Sequence, residues 1–117
     1  MAISCNLGFP RMGVHRELKK ALEAFWSGQT DEKELVSVGQ VLRANHWVLQ
    51  KQIGIEHIPS NDFSFYDHVL DTVAMVGAVP HRYVWKGPQV DRETYFAMAR
   101  GTRQKGASQW YLTCELH

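Results

Sequence analysis

Basic side chains crowd one short stretch of this chain in a way that suits the capture of an anion. The stretch runs Leu7-Gly8-Phe9-Pro10-Arg11-Met12-Gly13-Val14-His15-Arg16-Glu17-Leu18-Lys19-Lys20. It reads as the end of a short strand, a Gly/Pro loop, and the entry to an amphipathic helix starting at Val14 or His15. His15, Arg16, Lys19 and Lys20 then fall in the first turns, where the helix dipole already places about half a positive charge. Helices favour Asp or Glu there, so each misplaced cation gives up roughly 0.3–1 kcal/mol. An anion docking on the free N–H groups and the basic side chains would reverse that balance. The alternative is a solvated basic face beside a loop, which the charge pattern alone leaves open.

Composition narrows what such a site can serve. A length of 117 residues supports one modest domain with a core, and not two. Hydrophobic residues at 44% and charged residues at 21% belong to a globular chain. The formal charge of +1 gives no global attraction to nucleic acid or to an anionic membrane, so anion binding must be local. No apolar run approaches the roughly 20 residues of a membrane span, and the N-terminus lacks the pattern of a secretory signal. Two cysteines, Cys5 and Cys114, suggest no disulfide framework, and free thiols in the cytoplasm are the expectation.

The positioning elements follow from periodicity. Ala2–Leu7 reads as a buried strand, with Cys5 as a small hydrophobe within it. Leu18, Ala21, Leu22 and Phe25 form the core stripe of the first helix, and Gly28 stops it. Asp31 with Glu34 reads as a capping box opening a longer helix with Leu35, Val38, Leu42, Leu49 and Ile53 on its apolar stripe, ended by Gly54. These two helices make an αα-hairpin that must pack on something else. Ile55–Pro59 is a short connector or strand, and Asp62–Tyr66 another possible strand end. Asp67 caps a third helix ended by Gly77, and Asp91 a fourth, with Tyr95 and Phe96, ended by Gly101. The polar, basic loop after Thr102 leads to a tail holding Trp110, Tyr111 and Leu112.

Several separated blocks carry a resemblance. Leu7-Gly8-Phe9-Pro10-Arg11-Met12-Gly13 with Arg16-Glu17-Leu18-Lys19 resembles the opening of cobalamin-independent methionine synthase. So do Phe65-Tyr66-Asp67-His68-Val69-Leu70-Asp71, Val79-Pro80-His81-Arg82-Tyr83 and Tyr95-Phe96-Ala97-Met98-Ala99-Arg100-Gly101. The likeness is collinear from about Ile3 to about Gly101. It implies a methyltransferase that moves a methyl group from 5-methyltetrahydropteroyltriglutamate to homocysteine, forming methionine without cobalamin. It also implies an α/β fold: a partial (β/α)8 TIM-type barrel, the first βα units of the family's N-terminal barrel, with an inserted αα-hairpin. Residues 1–106 then begin that barrel domain, and 107–117 form a divergent, truncated tail. In the family, Arg16, Glu17, Leu18 and Lys19 correspond to a folate-contacting stretch. Arg16 and Lys19 would pair with carboxylates of the glutamyl tail, and Glu17 and Leu18 would give backbone or positional contacts.

The resemblance also says what to expect elsewhere. The family activates homocysteine on zinc held by His, Cys and Glu of its C-terminal barrel, and no such ligand falls in the matched region. No catalytic or metal-ligating residue is therefore assigned. Where the family carries a Glu-Met-Thr-Lys-Trp-Phe block, this chain reads Ala107-Ser108-Gln109-Trp110-Tyr111-Leu112-Thr113-Cys114-Glu115-Leu116-His117, without a lysine beside Trp110. The competing expectation is a non-catalytic truncated product that binds folate weakly or serves as a packing module. The six histidines show no ligand spacing, and Cys114-x-x-His117 is a lone pair. Asp67 beside His68 reads as a helix cap rather than an acid/base pair. The four tryptophans are too scattered for a base-stacking platform. Arg100, Arg103 and Lys105 read as a solvated basic loop.

Overall fold

Amphipathic stripes account for most of the regular structure in the computed structural model, which describes residues 1–101. Among these residues, α1 spans Glu17–Trp26, α2 Glu32–Gln52, α3 His68–Val76 and α4 Arg92–Arg100, with a 3-10 turn at His81–Tyr83. Two compact units share the chain, Met1–Phe65 and the part from Tyr66 onward.

In the first unit α1 packs on α2 as the expected αα-hairpin. Leu18 and Leu22 of α1 and Leu35 and Leu42 of α2 are buried and make its core. Asp31 Oδ1 accepts from the Glu34 N–H at 2.8 Å, which starts α2 where the capping pattern places it. The far end of α2 departs from the expected stripe. Leu49 and Ile53 are exposed, Ile53 at 67%, whereas Gln50 is 1% exposed. The buried face of α2 runs Leu35, Gly39, Leu42, Gln50, because Phe63 and Phe65 approach it at Gly39 and the N-terminal segment meets it at Gln50, through Asn6, and not along Leu49 and Ile53.

The strand expected over Ala2–Leu7 is reduced to one parallel bridge between Cys5 and His57. Ser4 makes the pairing: its carbonyl accepts from the Glu56 and His57 N–H groups at 3.2 and 3.0 Å. Its hydroxyl also donates to the Gly54 carbonyl at 3.0 Å. Cys5 is exposed rather than buried, because among the described residues its pairing is one bridge, which builds no sheet face to cover it. The first helix also starts later than the pattern suggests, at Glu17.

In the second unit α3 and α4 pack on each other, and the Tyr95 hydroxyl donates to Asp71 Oδ1 at 2.6 Å. Leu70, Tyr95 and Phe96 are its buried residues. Asp67 Oδ1 accepts from the Leu70 N–H at 2.8 Å, and Asp91 Oδ1 from the Thr94 N–H at 2.7 Å. Both carboxylates are therefore caps, as their positions suggest.

Asp91 gives a stability prediction with a definite pH sign. Hydrogen bonds from Thr94, backbone first and side chain second, hold its carboxyl below the usual aspartate value. A depressed folded value means the contribution is complete above the unfolded aspartate value of about 4 and is lost as pH falls through the folded one. Asp91→Ala is expected to cost about 1 kcal/mol at pH 7. Asp91→Asn, which caps comparably, should keep the stability and lose its acid dependence. Urea unfolding at pH 7 and pH 3 checks both, and an unchanged Asp91→Ala midpoint at pH 7 contradicts the capping role.

Candidate anion-binding turn

The loop before α1 is shaped by its glycine and its contacts to the 62–64 segment. Gly13 has φ 81°, in the left-handed region, and a Cβ there would collide with the Glu17 carboxylate. The Phe9 N–H donates to Asp62 Oδ2 at 2.8 Å, and Arg11 Nη1 donates to the Ser64 carbonyl at 2.9 Å. The Phe9 ring lies against His46 with centroids 4.6 Å apart. Burial pushes the His46 imidazole below its ordinary value, more than the carboxylates of Asp62 and Glu17 raise it.

Arg16 is the N-cap residue of α1, with φ 59° and ψ 39° and no capping side chain. Its N–H donates to the Gly13 carbonyl at 3.2 Å, closing the turn. A non-glycine residue in this conformation costs roughly 1–2 kcal/mol. The Arg16 side chain is exposed. Lys19, three residues on, shares its helix face and is also exposed. Lys19 Nζ stands 3.7 Å from Glu23 Oε1, an exposed pair in the weaker Lys-before-Glu order, so it restrains the lysine little.

Glu17 changes the electrostatic picture drawn from charge pattern alone. It opens α1, and its Oε2 accepts from the His15 N–H at 3.0 Å. A hydrogen bond from its own backbone N–H is the first cause holding its carboxyl below the usual range. Desolvation opposes it as the next largest influence, and the His15 N–H and the charges of His15 and Lys20 add to the lowering. The positive end of the helix is thus answered internally, because the helix begins at Glu17 instead of among the cations. An incoming anion would meet the side chains of Arg16 and Lys19 rather than free N–H groups.

Leu18 is 0% exposed, so its side chain belongs to the core. Its N–H is engaged by the Met12 carbonyl at 3.1 Å. Of the four residues in the Arg16–Lys19 stretch, Arg16 and Lys19 therefore project outward, Glu17 turns back on the loop, and Leu18 anchors the helix. The Arg11 guanidinium serves the Ser64 carbonyl, a task its place in the basic stretch does not reveal. That pairing spans 53 residues and leaves no local signal in the sequence.

The resemblance implies zinc ligands outside the matched region. Among the described residues no three His, Cys, Asp or Glu side chains gather where they could hold a metal ion. No helix among the described residues is long and apolar enough to cross a membrane. Thr102 to His117, with the tail, Arg103, Lys105, Trp110 and Cys114, lies outside the described residues.

Comparison with known proteins gives the geometry a context. The chain is 55% identical over 105 residues to a 5-methyltetrahydropteroyltriglutamate–homocysteine methyltransferase of Salinibacter ruber, covering 90% of this chain and 14% of that protein. It is 58% identical over 97 residues to the protein so named in Syntrophotalea carbinolica, covering 83% and 13%. The match to the one from Caulobacter vibrioides is 56% over 104 residues, covering 89% and 13%. The chain thus spans about one seventh of the length of these relatives. Residues 3–113 match the family model described as cobalamin-independent synthase, N-terminal domain. On both findings the chain belongs to the cobalamin-independent synthase family, within its N-terminal domain.

Proposed function

We propose that this chain supplies the part of a methionine-forming methyltransferase that holds the glutamyl tail of 5-methyltetrahydropteroyltriglutamate. The observation that carries the reading is Arg16: a long cation kept in a left-handed conformation that glycine would adopt without strain, its side chain in solvent. A tail of linked glutamates offers carboxylates spaced along a flexible chain. Arg16 can grip one carboxylate with two parallel N–H donors, and Lys19, one turn along the same face, can meet another as a point charge. Glu17 keeps the turn's own donors occupied, and Leu18 fixes the helix beneath them. The names of the relatives support the substrate class. Homocysteine and zinc enter in the same reading through other parts of the longer enzymes, without cobalamin, in a cytoplasmic setting that suits the free, exposed Cys5.

The fold reading goes with it: the opening of a (β/α)8 barrel, with the α1–α2 hairpin inserted as the crossover. Its support is the sense of the Cys5–His57 bridge, since parallel neighbours require a connection of a dozen residues or more between them. A second reading, a packing module without catalysis, is favoured by the outer face of α2, where Val41 and Val48 are exposed.

Titration calorimetry with the triglutamate and monoglutamate forms of the folate tests the site. Arg16→Ala and Lys19→Ala should each weaken triglutamate binding about tenfold, the weight of one charged hydrogen bond. Monoglutamate affinity should change little. Arg16→Gly should lose the same affinity while gaining about 1 kcal/mol of stability from relief of the left-handed strain. Unchanged triglutamate affinity in all three variants contradicts the assignment and leaves the packing module.

A further inference from the structure

Gln50 lies outside the apolar stripe expected for α2, yet it is buried. It shares the buried face with Leu35, Gly39 and Leu42 and is 1% exposed. A buried amide is costly unless its donors and acceptor are met, so a polar residue here needs a reason. Its Nε2 donates to the His46 carbonyl of its own helix at 3.1 Å. Its Oε1 accepts from Asn6 Nδ2 at 2.8 Å, across 44 residues of sequence. Asn6 passes the constraint on, since its Oδ1 accepts from the Gly8 N–H at 3.1 Å.

The relay ends where the anion-binding turn begins. After Gly8 come Phe9, tied to Asp62, and Arg11, tied to the Ser64 carbonyl. Met12 then receives the Leu18 N–H, and Gly13 receives that of Arg16. The loop is thus held at successive points from its start to its end, and the first hold comes from the interior of α2. A leucine at position 50 would fill the same core and release that end of the loop.

We propose that Gln50, acting through Asn6, is a positioning residue for the Arg16–Lys19 anion site. The inference rests on the glutamyl-tail reading above. It touches no ligand; it sets where the loop delivers Arg16. Spacing between Arg16 and Lys19 matters for a ligand with several carboxylates and hardly at all for one with few. Loss of the relay should therefore reduce the preference for longer tails, a readout that loss of packing alone would not move.

The test compares 5-methyltetrahydropteroyltriglutamate with the monoglutamate on the full 117-residue chain, by calorimetry, for wild type, Gln50→Leu, Asn6→Asp and Arg16→Ala. Asn6→Asp keeps the acceptor for Gly8 and removes the donor to Gln50 at a half-buried position, so it decides the matter if Gln50→Leu fails to fold. Both relay variants should lower the triglutamate preference about tenfold, as expected for a misplaced binding group, with helical circular dichroism unchanged. If Arg16→Ala abolishes the preference and the relay variants retain it, the site stands and the positioning role is overturned. If wild type shows no preference and Arg16→Ala changes nothing, the site reading fails and the inference with it.

Discussion

Leu18→Ala is expected to lower the unfolding free energy of the first unit by about 2–5 kcal/mol, the range for truncating a fully buried leucine. Leu18 is 0% exposed and packs in the α1–α2 core, where α1 has few other buried anchors: Leu22 alone joins it. The adjacent Lys19→Ala should stay within about 0.5 kcal/mol, as exposed substitutions do. Urea unfolding followed by far-ultraviolet circular dichroism separates the two. A loss under about 1 kcal/mol for Leu18→Ala would mean that the side chain is not in the core. The contrast bears on function. Neighbouring positions in one motif hold unlike tasks, one side chain securing the helix and the next facing solvent. Leu18→Ala should therefore weaken triglutamate binding only as far as it unfolds the chain. Lys19→Ala should weaken binding without unfolding it.

Gly39→Val is the second large effect, an expected loss of about 1–3 kcal/mol from overpacking. A Cβ at position 39 would stand 2.7 Å from Phe65 Cζ, 3.0 Å from Phe65 Cε1 and 3.4 Å from Phe63 Cε1. Those rings meet edge to face, with centroids 5.5 Å apart, and the Arg43 guanidinium lies 5.5 Å from the Phe63 centroid. They cannot retreat freely. Glycine inside a helix costs about 1 kcal/mol against alanine, so Gly39→Ala regains some of what the clash removes and should fall between wild type and valine. Thermal unfolding of the three proteins gives the order. A valine variant as stable as wild type would show that α2 does not approach the aromatic pair so closely. The close approach also matters for the site. Phe63 and Phe65 flank Ser64, whose carbonyl holds Arg11, so a displaced pair should loosen the turn that carries Arg16.

Much of this chain could be read without its structure, for reasons tied to range. The caps at Asp31, Asp67 and Asp91 act over three residues, and each was legible from its neighbours. The α1 core stripe and the glycine helix ends are equally local. Leu18, Leu22, Leu35 and Leu42 are buried as their spacing indicates, and Gly28, Gly54, Gly77 and Gly101 all carry positive φ. The family likewise rests on collinear residue blocks, and residues 3–113 match its N-terminal domain.

Contacts between distant residues decided the rest. The same four-residue stretch, Arg16 to Lys19, was visible as a motif, with Leu18 on the core stripe and Arg16 and Lys19 set to meet an anion, but the division between those cations and a Glu17 carboxylate that turns back on the loop was not. That division follows from the later helix start and from packing against α2. The burial of Gln50 in place of Leu49 and Ile53 turns on Asn6, 44 residues away, and the task of Arg11 turns on Ser64. The strand expected at Ala2–Leu7 depended on partners that local alternation cannot name, and among the described residues it makes one bridge. By itself, then, the sequence determined the helices, their caps, the anion-suited cluster and the family. Only the tertiary structure decided which charges face solvent and which hold the loop, because that depends on what lies across the fold from each residue.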